Sequence, residues 1–284
     1  MWRLDAPDST NSSDNLTKAL TLVNGTPVYP LTEDEKQRLL ALYTSYDANS
    51  GNPSEALKGT PADSLLFEAV HNAYLQVQIG GRLEQYRDTL KLHAEICPYC
   101  GFGAITDLDH HLPRSKYKAH SIYAKNLIPC CHPCNNIKRA KAGETPDGQF
   151  SHVYFGQRPM EPFLKAEVRV HTTGLAVTFC VNKTPNLDPN EFERLQFQFN
   201  TLELNSRYKA PINIYMGTLR TSIESFAALG GAALTAFLLN SYSSSCRDFG
   251  PNHWQSALLK ALAESEEFCN GGFQHCFGRK DPAI

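Results

Sequence analysis

The sequence predicts an α+β protein, predominantly helical, from three observations. Amphipathic stripes with helix-start signals occupy the first and last thirds of the 284 residues. Alternation of period 2 on both sides of Thr172-Thr173-Gly174 marks one β-hairpin. Between the front helices and that hairpin lies a segment dense in Cys, His, Asn and basic residues, which has no such periodicity.

Residues 1–30 are rich in Ser, Asn, Asp, Thr and Pro and predict a loosely ordered lead-in. Thr32 followed by Glu35 is a capping-box start, and Leu39, Tyr43 and Tyr46 recur at helical spacing. A second helix is expected from Thr60-Pro61, with Leu66, Ala69, Val70, Ala73, Tyr74 and Val77 as its apolar stripe, until Gly80-Gly81 breaks it. A third, carrying Leu83, Tyr86 and Leu90, leads into Cys97, so the front third is a helical platform in which His71 is a packed or surface residue. In the hairpin, Val168, Val170, Val177, Phe179 and Val181 alternate with Glu167, Arg169, Thr178 and Asn182. From about Asp188 the chain turns helical again, with Trp254, Leu258, Ala261 and Leu262 as the clearest stripe. The expected regions are 1–92, 93–145 and 146–284.

Composition narrows the function classes. With 42% hydrophobic and 20% charged residues, disorder, collagen and coiled coil are excluded. The longest apolar run, Phe226 to Leu239, contains Gly230 and Gly231 and is well short of the roughly 20 residues that cross a bilayer. It reads as a buried helix pair, and no membrane partner is expected. The start Met1-Trp2-Arg3-Leu4-Asp5 carries no apolar leader, so the expected location is cytoplasmic and the nine cysteines are expected to be reduced. No Gly-x4-Gly-Lys-Ser/Thr loop is present, and ATP hydrolysis by this chain is not expected. The formal net charge of −2 hides an asymmetry: Lys91 to Lys141 carries +5 and the remainder −7.

Cys97-Pro-Tyr-Cys100 and Cys131-His-Pro-Cys134 are two Cys-x2-Cys turns with 30 residues between them. Each turn can deliver two thiolates to one side of an ion, and Zn²⁺ takes four such ligands tetrahedrally. Filling all four positions makes the zinc structural rather than catalytic. Four reduced buried cysteines, or His132 in place of one cysteine, are the alternatives. A redox pair is disfavoured because no βαβ pattern surrounds the turns. Cys130 reads as a buried strand residue and Cys180 and Cys246 as inert. Cys269, His275 and Cys276 lack a fourth ligand at metal spacing.

Within the zinc loop, Asp109 and Asn135 offer the hard oxygens that Mg²⁺ or Mn²⁺ prefers, and His110 offers a base whose ordinary pKa lies near neutrality. A metal to neutralise charge and a base to deprotonate water are what phosphodiester hydrolysis requires. Arg114, Lys116, Lys118, Lys138 and Arg139 flank them as candidate phosphate contacts.

In order and spacing, Asp109-His110, Asn126 and Asn135 between two zinc turns resemble the HNH endonucleases of the ββα-metal fold, in the variant whose last letter is Asn. The resemblance covers about residues 97–141 and not the helical flanks. It implies a first strand through Ile105 to Leu108 that delivers Asp109 as metal ligand and His110 as general base. A second strand, about Asn126 to Pro129, would supply Asn126 to hold the loop and orient the base. A helix from near Cys134 would present Asn135 as the other metal ligand and Lys138 toward the scissile phosphate. His111 departs from the pattern and makes the base ambiguous, with His110 preferred by its place after the aspartate. The runs Asp-His-His-Leu-Pro-Arg-Ser-Lys-Tyr and Asn-Leu-Ile-Pro-Cys-Cys are also similar to HNH proteins of bacterial anti-phage systems, including Septu-type nucleases that work beside an ATPase subunit. The full expectation is therefore a ββα-metal HNH core with structural zinc, flanked by N-terminal helices and a C-terminal hairpin plus helices. Its function would be Mg²⁺- or Mn²⁺-dependent cleavage of nucleic acid, DNA foremost, in antiviral defence with a partner ATPase. The rival is a non-catalytic zinc module that binds nucleic acid or protein.

Overall fold

The computed structural model describes residues 3–157 and 161–277, so the outermost ends of the first and third predicted regions lie outside the described residues. The chain is α+β and mostly α, about 53% helical with two small antiparallel sheets. It divides into two compact units. The first comprises residues 3–157 and 193–202, the second residues 161–192 and 203–277. The front helices and the cysteine segment therefore belong to one unit, without a division at 92/93, and the chain leaves that unit near 157 rather than at 145.

In the first unit, α1 (Ser12–Ala19) lies where a loose lead-in was expected. Only Leu16 and Ala19 of this helix are buried, too few to print a period on a polar stretch. α2 (Glu33–Ala48) starts on the expected capping box: Thr32 accepts from the Glu35 N–H, and the Glu35 carboxylate accepts from the Thr32 N–H. Leu39, Tyr43 and Tyr46 are its buried face. The next helix begins later than expected. Residues Pro61–Asp63 form a 3₁₀ turn, the Thr60 hydroxyl goes to the Asp63 carboxylate, and α3 runs over Ser64–Ala73. A further 3₁₀ turn, Tyr74–Val77, ends the stripe before Gly80, whose φ is +79°. α4 (Glu84–Lys91) then packs on β1 (Asp107–His110) and β2 (Leu127–Cys130), which pair antiparallel with Asp107 opposite Cys130 and His110 opposite Leu127. α5 (His132–Lys138) follows and packs on β1. The expected ββα order is thus present, with β1 displaced two residues toward the C-terminus.

The second unit holds β3 (Leu164–His171) and β4 (Gly174–Val181), joined through Thr172-Thr173 as the alternation predicts. α6 (Pro189–Thr201) contributes residues 193–201 to the first unit. α7 (Leu204–Arg207), α8 (Lys209–Ala227), α9 (Gly231–Phe249), α10 (Trp254–Glu264) and α11 (Glu266–Cys269) complete the order. α10 carries the predicted stripe, with Trp254, Leu258, Ala261 and Leu262 buried, and packs on β3 and α9. The run Phe226 to Leu239 does break into two helices at Gly230, but it is not a buried pair. Leu229 is 76% exposed, and only Leu234 and Leu238 of α9's apolar residues are buried. No helix among the described residues is long and apolar enough to cross a membrane.

The core of the first unit encloses imidazoles. His120 is fully buried and donates from Nε2 to the Leu57 carbonyl at 3.0 Å, and burial lowers its pKa to about 4. His152 accepts from the Tyr154 N–H at Nδ1, so its Nε2–H donates to the Tyr46 hydroxyl at 2.9 Å; burial lowers its pKa to about 3. Both rings are neutral when folded and protonate near 6.5 when unfolded, so below pH 6.5 the unfolded chain binds more protons and stability falls with pH. The loss runs from about pH 6.5 toward 4, at up to about 1.4 kcal/mol per pH unit for each ring. Urea unfolding at pH 7.5, 6.5 and 5.5 should show it. His120→Gln, which keeps a donor for Leu57, should flatten the slope, and an unchanged slope would contradict this account.

Candidate metal centre and active site

Cys97, Cys100, Cys131 and Cys134 are all buried, and their sulfurs lie within 4.8 Å of one another. Among the described residues this is the one cluster of three or more His, Cys, Asp or Glu suited to hold a metal ion. Zinc with Zn–S bonds of about 2.3 Å sets tetrahedral sulfurs about 3.8 Å apart. Cys100 and Cys131 are separated by 3.8 Å, so the cluster is compatible with one structural zinc. The first turn is shaped by the Gly101 N–H donating to the Cys97 carbonyl at 2.7 Å, with Gly101 at φ +77°. A Cβ on Gly103 would lie 2.7 Å from the Cys131 sulfur, so only glycine lets the loop pass the cluster. Cys130 is buried in β2, as expected. His132 is not at the sulfurs: its side chain is 71% exposed and its Nδ1 meets the Asp107 carboxylate at 2.9 Å.

The alternation of β1 sorts the candidate residues onto two faces. Asp107 and Asp109 face α5, whereas His110 faces the Tyr74 turn. Asp109 is 3% exposed, with its Oδ2 accepting from Lys138 Nζ at 2.9 Å and from the Tyr99 hydroxyl at 2.8 Å. Burial pushes its carboxyl above the usual range against the pull of Lys138. Lys138 itself is wholly buried and also donates to the carbonyls of His110 and His111, at 2.7 and 3.2 Å. The expectation that Lys138 faces a scissile phosphate is therefore corrected: its ammonium is consumed inside the protein.

Asn135 donates from Nδ2 to Oδ2 of Asp107, at 2.9 Å, rather than meeting Asp109. Asp107 thus gathers His132 and Asn135; burial raises its carboxyl, and hydrogen bonds from Asn135, His132 and Thr106 more than offset that and hold it below the usual range. With one carboxylate balanced by an ammonium and the amide turned to another, Asp109 and Asn135 as arranged here do not fit the expected role of joint ligands to one divalent ion.

His110 is half-buried, and its Nε2 lies 2.9 Å from the Ser121 carbonyl. A carbonyl only accepts, so Nε2 carries the proton and Nδ1 holds the lone pair. Burial lowers its pKa to about 3, so the ring is neutral at physiological pH. His111 points to the other face, 7% exposed, its ring tilted 41° against that of His152 with centroids 4.0 Å apart and its Nδ1 unpartnered, and burial likewise holds it well below the ordinary value. Asn126 is fully buried; it accepts from the Leu112 N–H and the Tyr46 hydroxyl and donates to the carbonyls of Leu112 and His120. It therefore holds the loop, while Ser121 and not Asn126 contacts the His110 ring.

The other expected phosphate contacts separate by their partners. Lys118 is paired with Glu68. Arg114 lies over the Tyr74 ring at 5.0 Å, Lys116 is exposed, and Arg139 is exposed at φ +48° at the end of α5. Cys269 and Cys276 make sulfur contacts to backbone carbonyls of Leu262 and Gly272 and form no metal cluster with His275. Sequence reasoning missed Asp107, Tyr99 and Tyr74. The shared face of Asp107 and Asp109 follows from strand alternation, whereas Tyr99 sits inside a cysteine turn and Tyr74 in an apolar stripe, where neither advertises a role.

Two measurements check this centre. Well-folded protein should contain one zinc per chain, and Cys97→Ser or Cys131→Ser should lower both zinc content and Tm, because metal binding is coupled to folding. Lys138→Met should cost about 3–5 kcal/mol in urea unfolding, since it strands a buried carboxylate. Asp109→Asn combined with Lys138→Met should recover most of that loss; a single substitution as mild as the double one would refute the pairing.

No family model matches the chain, and no solved structure matches it. The chain is similar to protein ea31 of Escherichia phage lambda, with 26% identity over 201 residues that cover 66% of this chain and 67% of that protein.

Proposed function

We propose that the chain is an HNH-type endonuclease that hydrolyses phosphodiester bonds of nucleic acid, DNA foremost. The observation that carries the reading is the His110 imidazole, fixed by the Ser121 carbonyl with Nδ1 left as its lone-pair nitrogen, in a ββα unit that carries the four-cysteine cluster. A positioned neutral imidazole is what removes a proton from attacking water. Arg114, Lys116 and Arg139 supply positive charge for the phosphates. Lys138 already balances the Asp109 charge and Asn135 is turned to Asp107, so Asp109 and Asn135 as arranged do not form a divalent-ion site. A net charge of −2 gives little long-range pull on a polyanion, which supports a partner-dependent enzyme, with an ATPase subunit of the anti-phage type as the proposed partner. A second reading, a zinc module that binds nucleic acid or protein without cutting, is favoured by the same Lys138–Asp109 pair.

Purified chain incubated with plasmid, single-stranded DNA and RNA, with and without added Mg²⁺ or Mn²⁺, separates the readings. Cleavage is expected, and His110→Ala should reduce it by about 10²–10⁴-fold with zinc content unchanged. Dependence on His111 instead would move the base by one residue. Binding without cleavage, both by the chain alone and together with a co-purified ATPase partner, would favour the module, and cleavage indifferent to both histidines would end the HNH assignment.

A further inference from the structure

We infer that the Tyr74 turn of the helical platform forms the phosphate-binding side of the His110 site, with Tyr74 aligning His110 and Arg114 on one phosphodiester. This rests on the hydrolase reading and adds to it a residue from outside the motif. The Tyr74 ring meets the His110 imidazole edge-on, with centroids 4.4 Å apart and planes at 65°. Its hydroxyl donates to the Leu108 carbonyl at 3.2 Å, so the ring is tied to the strand that carries His110. The Arg114 guanidinium lies 5.0 Å from the centroid of the same ring. One turn earlier, His71 donates from Nδ1 to the Arg114 carbonyl at 3.1 Å, fixing the backbone from which that guanidinium extends. The platform thereby holds a base from β1 and a cation from the following loop against one aromatic side chain.

Charge identifies the ligand. Lys118, Lys125 and Lys138 are each paired with a carboxylate, of Glu68, Asp47 and Asp109 respectively. Among the described residues Arg114 has no carboxylate partner, and what holds it is the face of Tyr74. A guanidinium held on an aromatic face keeps its N–H fork free, and that fork matches two phosphate oxygens. A neutral imidazole on the same ring suits a phosphodiester better than a carboxylate substrate, because the site offers an anion contact and a proton acceptor together.

The test uses the full zinc-loaded chain and a short DNA duplex without added divalent ions, at low salt. Tyr74→Leu should weaken binding about threefold and Arg114→Gln more strongly. The double variant should bind no worse than Arg114→Gln alone, because Tyr74 acts on affinity through Arg114. Tyr74→Phe, which keeps the ring, should restore wild-type affinity. Additive losses in the double variant would overturn the inference. If Tyr74→Leu does not fold, NMR of the wild-type chain decides: the duplex should shift the Arg114 Nε–H and the His110 ring resonances together, and unmoved signals overturn the proposal. Intact coupling in a chain that cuts nothing would remove the hydrolase reading while leaving the phosphate site in place.

Discussion

The segment of the first unit that carries the candidate chemistry begins and ends at four clustered sulfurs. They join the end of the helical platform to the junction of β2 and α5, closing a loop of 30 residues between Cys100 and Cys131. Two four-residue strands are far too small a sheet to persist alone. A zinc ion held by all four sulfurs would cross-link that loop and remove much of its conformational freedom in the unfolded chain, and α4 and the Tyr74 turn pack against the two strands. With both ends of its loop anchored in this way, the short sheet would hold its register. Gly103 shows how close the fit is, since even a methyl group would collide with the Cys131 sulfur.

Inside that frame lies a buried ion pair. Lys138 and Asp109 are both buried, and Tyr99 and two backbone carbonyls complete their hydrogen bonding. Such pairs add little net stability compared with apolar substitutes, but they penalise every arrangement that separates the partners. Here the pair fixes the end of α5 against the end of β1, which sets where His110 and His111 diverge onto opposite faces. The same contact that orders the motif also withdraws two of its charges from solvent.

The helical platform, the hairpin and the α10 stripe were legible because each buries residues at a clean period: Leu39, Tyr43 and Tyr46 in α2, and Trp254, Leu258 and Leu262 in α10. The cysteine cluster was legible from spacing alone. α1 was hidden because two buried residues make no pattern, and the Phe226–Leu239 run misled because apolar composition does not specify burial. In the candidate site, residue types singled out a segment but not the partners within it. Which carboxylate Asn135 meets, and whether Lys138 faces water, depend on which face of a four-residue strand turns toward α5. A two-residue displacement of the strand, from Ile105–Leu108 to Asp107–His110, could not be read from the motif. Tyr74 looked like one more core residue because its role comes from what packs on it.

Asn126 has a consequence for the chemical lifetime of the protein. Its side-chain amide uses its full hydrogen-bonding capacity, two acceptances at Oδ1 and two donations from Nδ2. Loss of ammonia to give aspartate would replace both donors by an oxygen facing the carbonyls of Leu112 and His120, and would place a charge at a wholly buried position. The near-isosteric acid is thus among the worst occupants of this position. Deamidation, a minor lesion at a surface asparagine, would here release the loop between Leu112 and His120 in a single step. Burial of the amide, which keeps water from it, therefore protects the loop as much as its hydrogen bonds do.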